Sequence, residues 1–118
     1  MKGKEGSGGV SELLLLVRLL VSSGQRRITA HAHKRLADHA ISLKAALEGL
    51  STALVVEEYP NYYAGPAVLV LQPATDGRPL HVLWGMPKSG EQCAYMITAY
   101  RPDPQEWADG FLKRKPME

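Results

Sequence analysis

Three of the four histidines in this 118-residue chain fall within nine residues, in the run Thr29-Ala30-His31-Ala32-His33-Lys34-Arg35-Leu36-Ala37-Asp38-His39. On a helix, residues four apart share a face, so His31, Arg35 and His39 form one row beside the apolar stripe Ile28, Ala32, Leu36 and Ala40. His33 points elsewhere. Histidine at the edge of a core suits proton transfer near neutral pH, and arginine there suits bidentate recognition of phosphate. The fourth histidine lies in Gly77-Arg78-Pro79-Leu80-His81-Val82-Leu83-Trp84. Strand alternation puts Leu80, Val82 and Trp84 on one face and His81 with Leu83 on the other. A later run, Tyr95 to Tyr100, carries Met96, Thr98 and Tyr100 on a common face. If the sheet register brings His81, Thr98, Tyr100 and Arg78 to the side of the helical row, histidines, a phenol and guanidinium groups converge in one site.

Such a set suits metal-independent cleavage of an RNA phosphodiester. One group removes the 2′-hydroxyl proton, arginine stabilises the phosphate charge, and another group protonates the leaving oxygen. Tyr59, Tyr62, Tyr63 and Trp84 could stack on single-stranded bases, although Trp84 fits a core position better. The chain has no paired acids, activated serine arrangement or glycine-rich phosphate loop. A metal site is disfavoured, because His31 and His39 would stand about 12 Å apart along a helix axis and His31 and His33 would diverge. Cys93, the sole cysteine, has no nearby base and excludes an internal disulfide. The simpler alternative is a solvated helix edge whose histidines only hydrogen-bond.

The elements that must position these residues change type along the chain. Residues 1–10 are glycine-rich and read as a disordered leader. Ser11 caps a leucine-rich helix, Glu12 to Ser22, ended by Ser22-Ser23-Gly24. Ile28-Thr29 opens a second helix with Thr29 as its cap, and Ser42 caps a third that carries Leu43, Ala46, Leu47 and Leu50. Then Leu54–Tyr59, Ala67–Gln72, Leu80–Met86 and Ala94–Tyr100 read as four strands. Asp76-Gly77 and Lys88-Ser89-Gly90 turn the last three into a meander. Pro104 suits the first turn of a short final helix with Trp107 and Phe111, before a solvated Lys113-Arg114-Lys115 and a tail at 116–118. The predicted fold is α+β, amino-terminal helices packed on one face of a small, mainly antiparallel four-stranded sheet, as a single domain over 11–115.

At 45% hydrophobic and 22% charged, the chain can build one ordinary core without staples. The longest apolar tract, Leu13–Val21, is nine residues and includes Arg18, too short and too charged for a membrane span. The reading is a cytoplasmic protein with no membrane contact and no cofactor. Its net charge of +2 is unevenly spread: residues 1–44 hold eight Lys/Arg against three acids, whereas the remainder holds six against nine. The basic half is the one with the histidine row, which points to a polyanion as partner.

The ordered motifs Ile28-Thr29-Ala30-His31-Ala32, Lys34-Arg35, Ile41-Ser42, Val56-Glu57-Glu58-Tyr59-Pro60, Asp76-Gly77-Arg78-Pro79-Leu80-His81-Val82 and Ile97-Thr98-Ala99-Tyr100-Arg101-Pro102-Asp103-Pro104-Gln105-Glu106-Trp107 resemble the small bacterial family called domain of unknown function 4258. The similarity spans about residues 11 to 115. Its members look like RNA-cleaving toxins of the RelE-like and barnase-like group, often encoded beside a zinc-finger antitoxin. The resemblance therefore implies a RelE/barnase-like fold, RNA as ligand and an antitoxin protein as partner. It matches His31, Arg35, Arg78, His81, Thr98, Tyr100 and Arg101 to the family's motif positions. Where the family continues Glu-Arg-Gly-Ile, this chain has Asp38-His39-Ala40-Ile41, so His39 replaces an arginine and Ala40 a helix-ending glycine.

Together these readings predict a toxin-like RNA-binding domain or metal-independent endoribonuclease. His31, His81 and Tyr100 are its candidate catalytic groups; Arg35, His39, Arg78, Thr98 and Arg101 are its candidate RNA or phosphate ligands. The alternative is a non-catalytic interaction module that uses the Leu13–Val21 helix to bind a partner or a second copy of itself.

Overall fold

The computed structural model describes residues 11–73 and 76–116; the expected leader and residues 117–118 of the tail lie outside that range. Ser11 accepts the Leu14 amide at 3.1 Å and starts α1, Glu12–Ser22. The helix buries Leu14, Val17, Leu20 and Val21 but leaves Leu15 and Leu19 51% and 61% exposed. Arg18 donates to the Leu50 and Ala53 carbonyls at 3.0 and 2.8 Å, tying α1 to the 3-10 turn at Gly49–Thr52. Gly24, with φ of 82°, turns the chain away.

Beyond that turn the chain departs from the sequence expectation. Arg26–Ile28 is a short strand, β1, and the next helix, α2, covers Ala30–Asp38 with Thr29 as its cap. A third helix, α3, spans Leu43–Glu48 behind the Ser42 cap. The strands β2 (Leu54–Tyr59), β3 (Ala67–Pro73), β4 (Pro79–Gly85) and β5 (Ala94–Tyr100) fall where the alternation predicts, within a residue or so at their ends. They join β1 in a five-stranded mixed sheet of order β1-β5-β4-β3-β2, antiparallel except for the β1–β5 pair. Three residues with two arginines give too little apolar periodicity to announce an edge strand. Its pairing with β5 supplies the backbone partners instead.

The second difference lies at the carboxyl end. The expected final helix is a small hairpin, β6 (Trp107–Ala108) and β7 (Lys113–Arg114). Asp109, Gly110 and Phe111 all have positive φ (52°, 65° and 72°), a reversal no right-handed helix can contain. Trp107 and Phe111 are four apart and would share a helical stripe. In the hairpin, both pack against the sheet face opposite the helices.

The sheet thus has two unlike sides. Val68, Val70, Leu80, Val82, Trp84 and Met96 join the helices' Val17, Leu20, Ala32 and Leu36 in the main core. Val56, Leu69 and Trp107 form a smaller core beneath the hairpin, with Leu83, Tyr100 and Phe111 at its margin. Cys93 is buried, as a core or bystander thiol would be. No helix among the described residues is long and apolar enough to cross a membrane.

Candidate functional site

A bulge in β5 sets both histidine environments. Leu83 pairs with Thr98 but Trp84 pairs with Met96, which leaves Ile97 as an extra residue. The Ile97 carbonyl accepts the Thr29 hydroxyl at 3.0 Å, and that hydroxyl oxygen accepts the Ala32 amide at 2.9 Å. One threonine therefore caps α2 and pins its start to the bulge. From Thr29 to His39 a helix rises about 15 Å. From Ile97 to Arg101 a strand advances about 14 Å. The two lengths bring the carboxyl end of α2 level with the carboxyl end of β5.

At that level a cationic cluster forms. Arg101 donates to Asp76 Oδ2 at 2.9 Å and to the Pro79 carbonyl at 3.3 Å. Arg78 donates to the same carboxylate oxygen at 3.0 Å through Nε, while its amide donates to Asp76 Oδ1 at 2.9 Å. The Arg78 amide and guanidinium, with Arg101 adding to them, hold the Asp76 carboxyl below the usual carboxylate range. Half-buried Arg35 makes no ion pair among the described residues, and Asp38 beside it is taken by Lys34 at 3.2 Å. His39 ends α2, and its Nε2 is buried without a hydrogen-bond partner among the described residues. Burial, then Arg35, lowers the His39 pKa; Asp38 raises it and Arg101 lowers it further. Both arginines therefore act on one imidazole. Of the five expected phosphate ligands, Arg78 and Arg101 share the Asp76 carboxylate, while Arg35 and Arg101 both act on His39.

His81 is elsewhere. It is completely enclosed on the hairpin side of the sheet, directly opposite Tyr100 in the β4–β5 register. Its Nε2 donates to the Phe111 carbonyl at 2.8 Å, which leaves Nδ1 to accept the Tyr100 hydroxyl at 3.1 Å. The Trp107 ring stands edge-on to it at 4.5 Å between centroids, and Arg114 lies over that indole at 4.5 Å. Burial pushes the His81 pKa down to about 4, against a smaller upward pull from the Phe111 hydrogen bond and with a further downward push from Arg114. Burial raises the Tyr100 phenol, so it stays a donor at neutral pH. This imidazole is neutral and fully engaged, the state of a core residue.

The structure therefore divides the expected site. His81, Thr98 and Tyr100 do share a sheet face, but it is the face away from α2, and Met96, expected beside Thr98 and Tyr100, lies on the helix side because the Ile97 bulge breaks the alternation. His31 is exposed on α2 with His33, on the other side of the sheet from His81. The His31, His81 and Tyr100 trio is not gathered around one point. Among the expected stacking groups, Trp84 is in the core, Tyr59 donates to Glu57 at 2.7 Å, and Tyr62 and Tyr63 lie ring to ring at 4.9 Å with Tyr63 exposed. Sequence reasoning missed Asp76 as the residue that joins Arg78 to Arg101. The signal was present in its Asp-Gly turn, two residues before Arg78. Among the described residues, no three His, Cys, Asp or Glu side chains gather as metal ligands.

Residues 28–101 match the family described as domain of unknown function (DUF4258), within the 11–115 span of the expected resemblance. The matched span begins in β1 and ends at Arg101, so it holds Arg35, His39, Arg78 and Arg101. Comparison with curated proteins and with solved structures gives no match.

Proposed function

Because the chain belongs to the DUF4258 family, whose description assigns no activity, we propose from the site alone that it is an RNA-binding domain. It grips the phosphodiester backbone between the end of α2 and the ends of β4 and β5. The observation that carries this reading is Arg101, which shares the Asp76 carboxylate with Arg78 and acts together with Arg35 on His39. Like charges held near one another are costly unless an anion joins them. Guanidinium groups suit the planar fork of a phosphate. The basic amino-terminal half supports the same ligand.

The reading is one of binding. Cleavage by His31 and His81 needs both imidazoles at one phosphate, and they lie on opposite sheet faces. His39 is the imidazole inside the cluster. The RelE-like toxin character implied by the resemblance remains part of this proposal only as far as RNA recognition. In the test, labelled single-stranded RNA is followed by fluorescence anisotropy in excess chelator, then run on a denaturing gel. Saturable binding with intact RNA is expected. Binding unaffected by the Arg35→Ala/Arg101→Ala double substitution would refute the site, and chelator-resistant cleavage lost in a folded His81→Gln variant would restore the catalytic reading.

A second reading has its own observation. Leu15 and Leu19 stand exposed on consecutive turns of α1 beside an open groove of about 570 Å³ lined by Arg18, Val21, Leu47 and Leu50. Such a face suits a protein partner, either an antitoxin or a second copy of the chain. Light scattering behind size-exclusion chromatography tests the second copy: a dimer that Leu19→Glu dissolves is expected, and a wild-type monomer would speak against self-association.

A further inference from the structure

The end of the sheet away from Arg78 and Arg101 is made by two loops, residues 60–66 between β2 and β3 and residues 86–93 between β4 and β5. Main-chain bonds tie them into one unit. The Met86 amide donates to the Pro66 carbonyl at 2.9 Å, and the Lys88 amide donates to the Ala64 carbonyl at 3.3 Å. Within the first loop, the Tyr62 amide donates to the Tyr59 carbonyl at 3.2 Å and the Gly65 amide to the Tyr62 carbonyl at 2.9 Å. Gly65, with φ of 130°, permits the close approach, because a Cβ on it would stand 1.9 Å from the Met86 carbonyl oxygen. The bonded loop holds half-buried Tyr62 with its ring centre 4.9 Å from that of Tyr63, which is 79% exposed. The Tyr63 ring belongs to neither core.

Its surroundings select the kind of partner. Exposed Lys88 is the one charged residue in 60–66 and 86–90. The next acid, Glu91, is engaged by Arg27 at 3.8 Å and by the Tyr95 hydroxyl at 3.4 Å. The neighbours Asn61, Ala64, Ser89 and Gly90 are small or polar and exposed, whereas a protein interface sets its aromatic anchors within an apolar patch. A bare ring beside a lone ammonium suits single-stranded nucleic acid, base on ring and phosphate on cation. We propose that Tyr63, backed by Tyr62, is a stacking platform for an unpaired base of bound RNA, with Lys88 meeting the adjoining phosphate. This inference rests on the RNA-binding reading above and names the strand it takes. The seven residues of β4 separate the platform from Arg78 by about 20 Å, so one strand laid along the sheet meets both ends. Stacking reads no base edge, so the platform accepts any unpaired base and refuses a duplex, whose bases already cover one another.

Anisotropy titration of the full chain with a labelled single-stranded RNA of about ten nucleotides tests the platform. Tyr63→Ala and Tyr63→Leu should each weaken binding by about tenfold, while Tyr63→Phe, which keeps the ring, should stay within about twofold of wild type. Tyr63→Ala should keep the wild-type salt slope, because it removes no phosphate contact, and Lys88→Ala should lower that slope by about 0.7. Affinity for a fully paired duplex should be the same in wild type and Tyr63→Ala. Folded Tyr63→Ala that binds single-stranded RNA as wild type does overturns the platform and leaves RNA binding standing. Self-association lost in Tyr63→Ala with RNA affinity unchanged overturns it too and assigns the ring to a protein contact. Absence of any RNA binding by wild type overturns the reading on which the platform rests.

Discussion

His81 and His39 share a side chain and differ in almost everything around it. His81 is enclosed between β4, β5 and the carboxyl-terminal hairpin, and both its nitrogens are engaged. His39 stands at the end of a helix, its pKa lowered by Arg35 and Arg101, with one nitrogen buried and unpaired among the described residues. Both are depressed in pKa, and burial leads in each case. For His81 the surroundings are complete and the neutral ring is the stable endpoint. For His39 the neighbouring charges conflict, with Arg35 and Arg101 opposing the proton and Asp38 favouring it. A lowered histidine pKa is thus no guide to function until its hydrogen bonds are counted.

Removing His81 should separate the two environments most forcefully. Truncation in His81→Ala leaves a cavity, an unpaired Tyr100 hydroxyl and an unpaired Phe111 carbonyl. Unfolding by urea should show a loss of about 3–4 kcal/mol. RNA affinity of the folded fraction should not change. A stability loss below about 1 kcal/mol would mean that the hairpin core is not held by this ring.

The same ring makes stability depend on pH. The unfolded chain protonates its histidine as pH falls through about 6.5. In the folded protein His81 resists until about 4. The unfolded state therefore binds more protons over that interval, so stability is greatest above pH 6.5 and falls as pH drops toward 4. The full difference amounts to ~3 kcal/mol as an upper figure. His39, lowered as well, adds to the loss with the same sign. Urea midpoints across this range should follow that course in wild type, and His81→Gln should flatten most of it. A slope unchanged in His81→Gln would move the linkage to another group.

The cationic end responds in the opposite sense, with a smaller effect on stability and a larger one on ligand. Arg35→Ala and Arg101→Ala should each weaken RNA binding by about tenfold, uniformly over sequence, because phosphate contacts carry no base information. Arg101→Ala should cost the fold about 1–2 kcal/mol, since its largely buried side chain also donates to the Pro79 carbonyl while its Asp76 partner is exposed. Anisotropy titrations paired with urea curves separate the two effects. Lost stability with RNA affinity unchanged would mean that these arginines serve the fold.

The smallest change should come from the turn that ends α2. Gly24 leaves α1 with a positive φ, and Ala40 leaves α2 in the same conformation with φ of 56°. A side chain there is strained by about 1 kcal/mol, so Ala40→Gly should raise stability by roughly 0.5–1 kcal/mol. The melting temperature should rise by a few degrees while RNA affinity holds.

Local chemistry carried the helices and main strands into view. Ser11, Thr29 and Ser42 each cap as their side chains dictate, and the Asp76-Gly77 turn joins β3 to β4 as expected. The β1 strand escaped because Arg26–Ile28 is made by its partner, β5. The final hairpin escaped because Trp107 and Phe111 satisfy helical spacing equally well, and three consecutive left-handed residues leave no strong mark beyond Gly110. In the site, residue types were legible and sidedness was not. Alternation joined Thr98 to Tyr100 but also placed Met96 with them, and the Ile97 bulge, with Thr29 docked on it, turns Met96 to the helix side. The His39–Arg101 neighbourhood comes from matching a helix length to a strand length, a long-range relation absent from either motif alone.

Whether Arg35 and Arg101 hold phosphate is tested most directly by the salt dependence of RNA affinity. Each phosphate contact on a single strand contributes about 0.7 to the slope of log affinity against log salt. The Arg35→Ala/Arg101→Ala protein should bind more weakly than wild type with a slope shallower by about 1.4. A double variant that binds as tightly as wild type, with the same slope, would contradict phosphate capture at this end of the sheet.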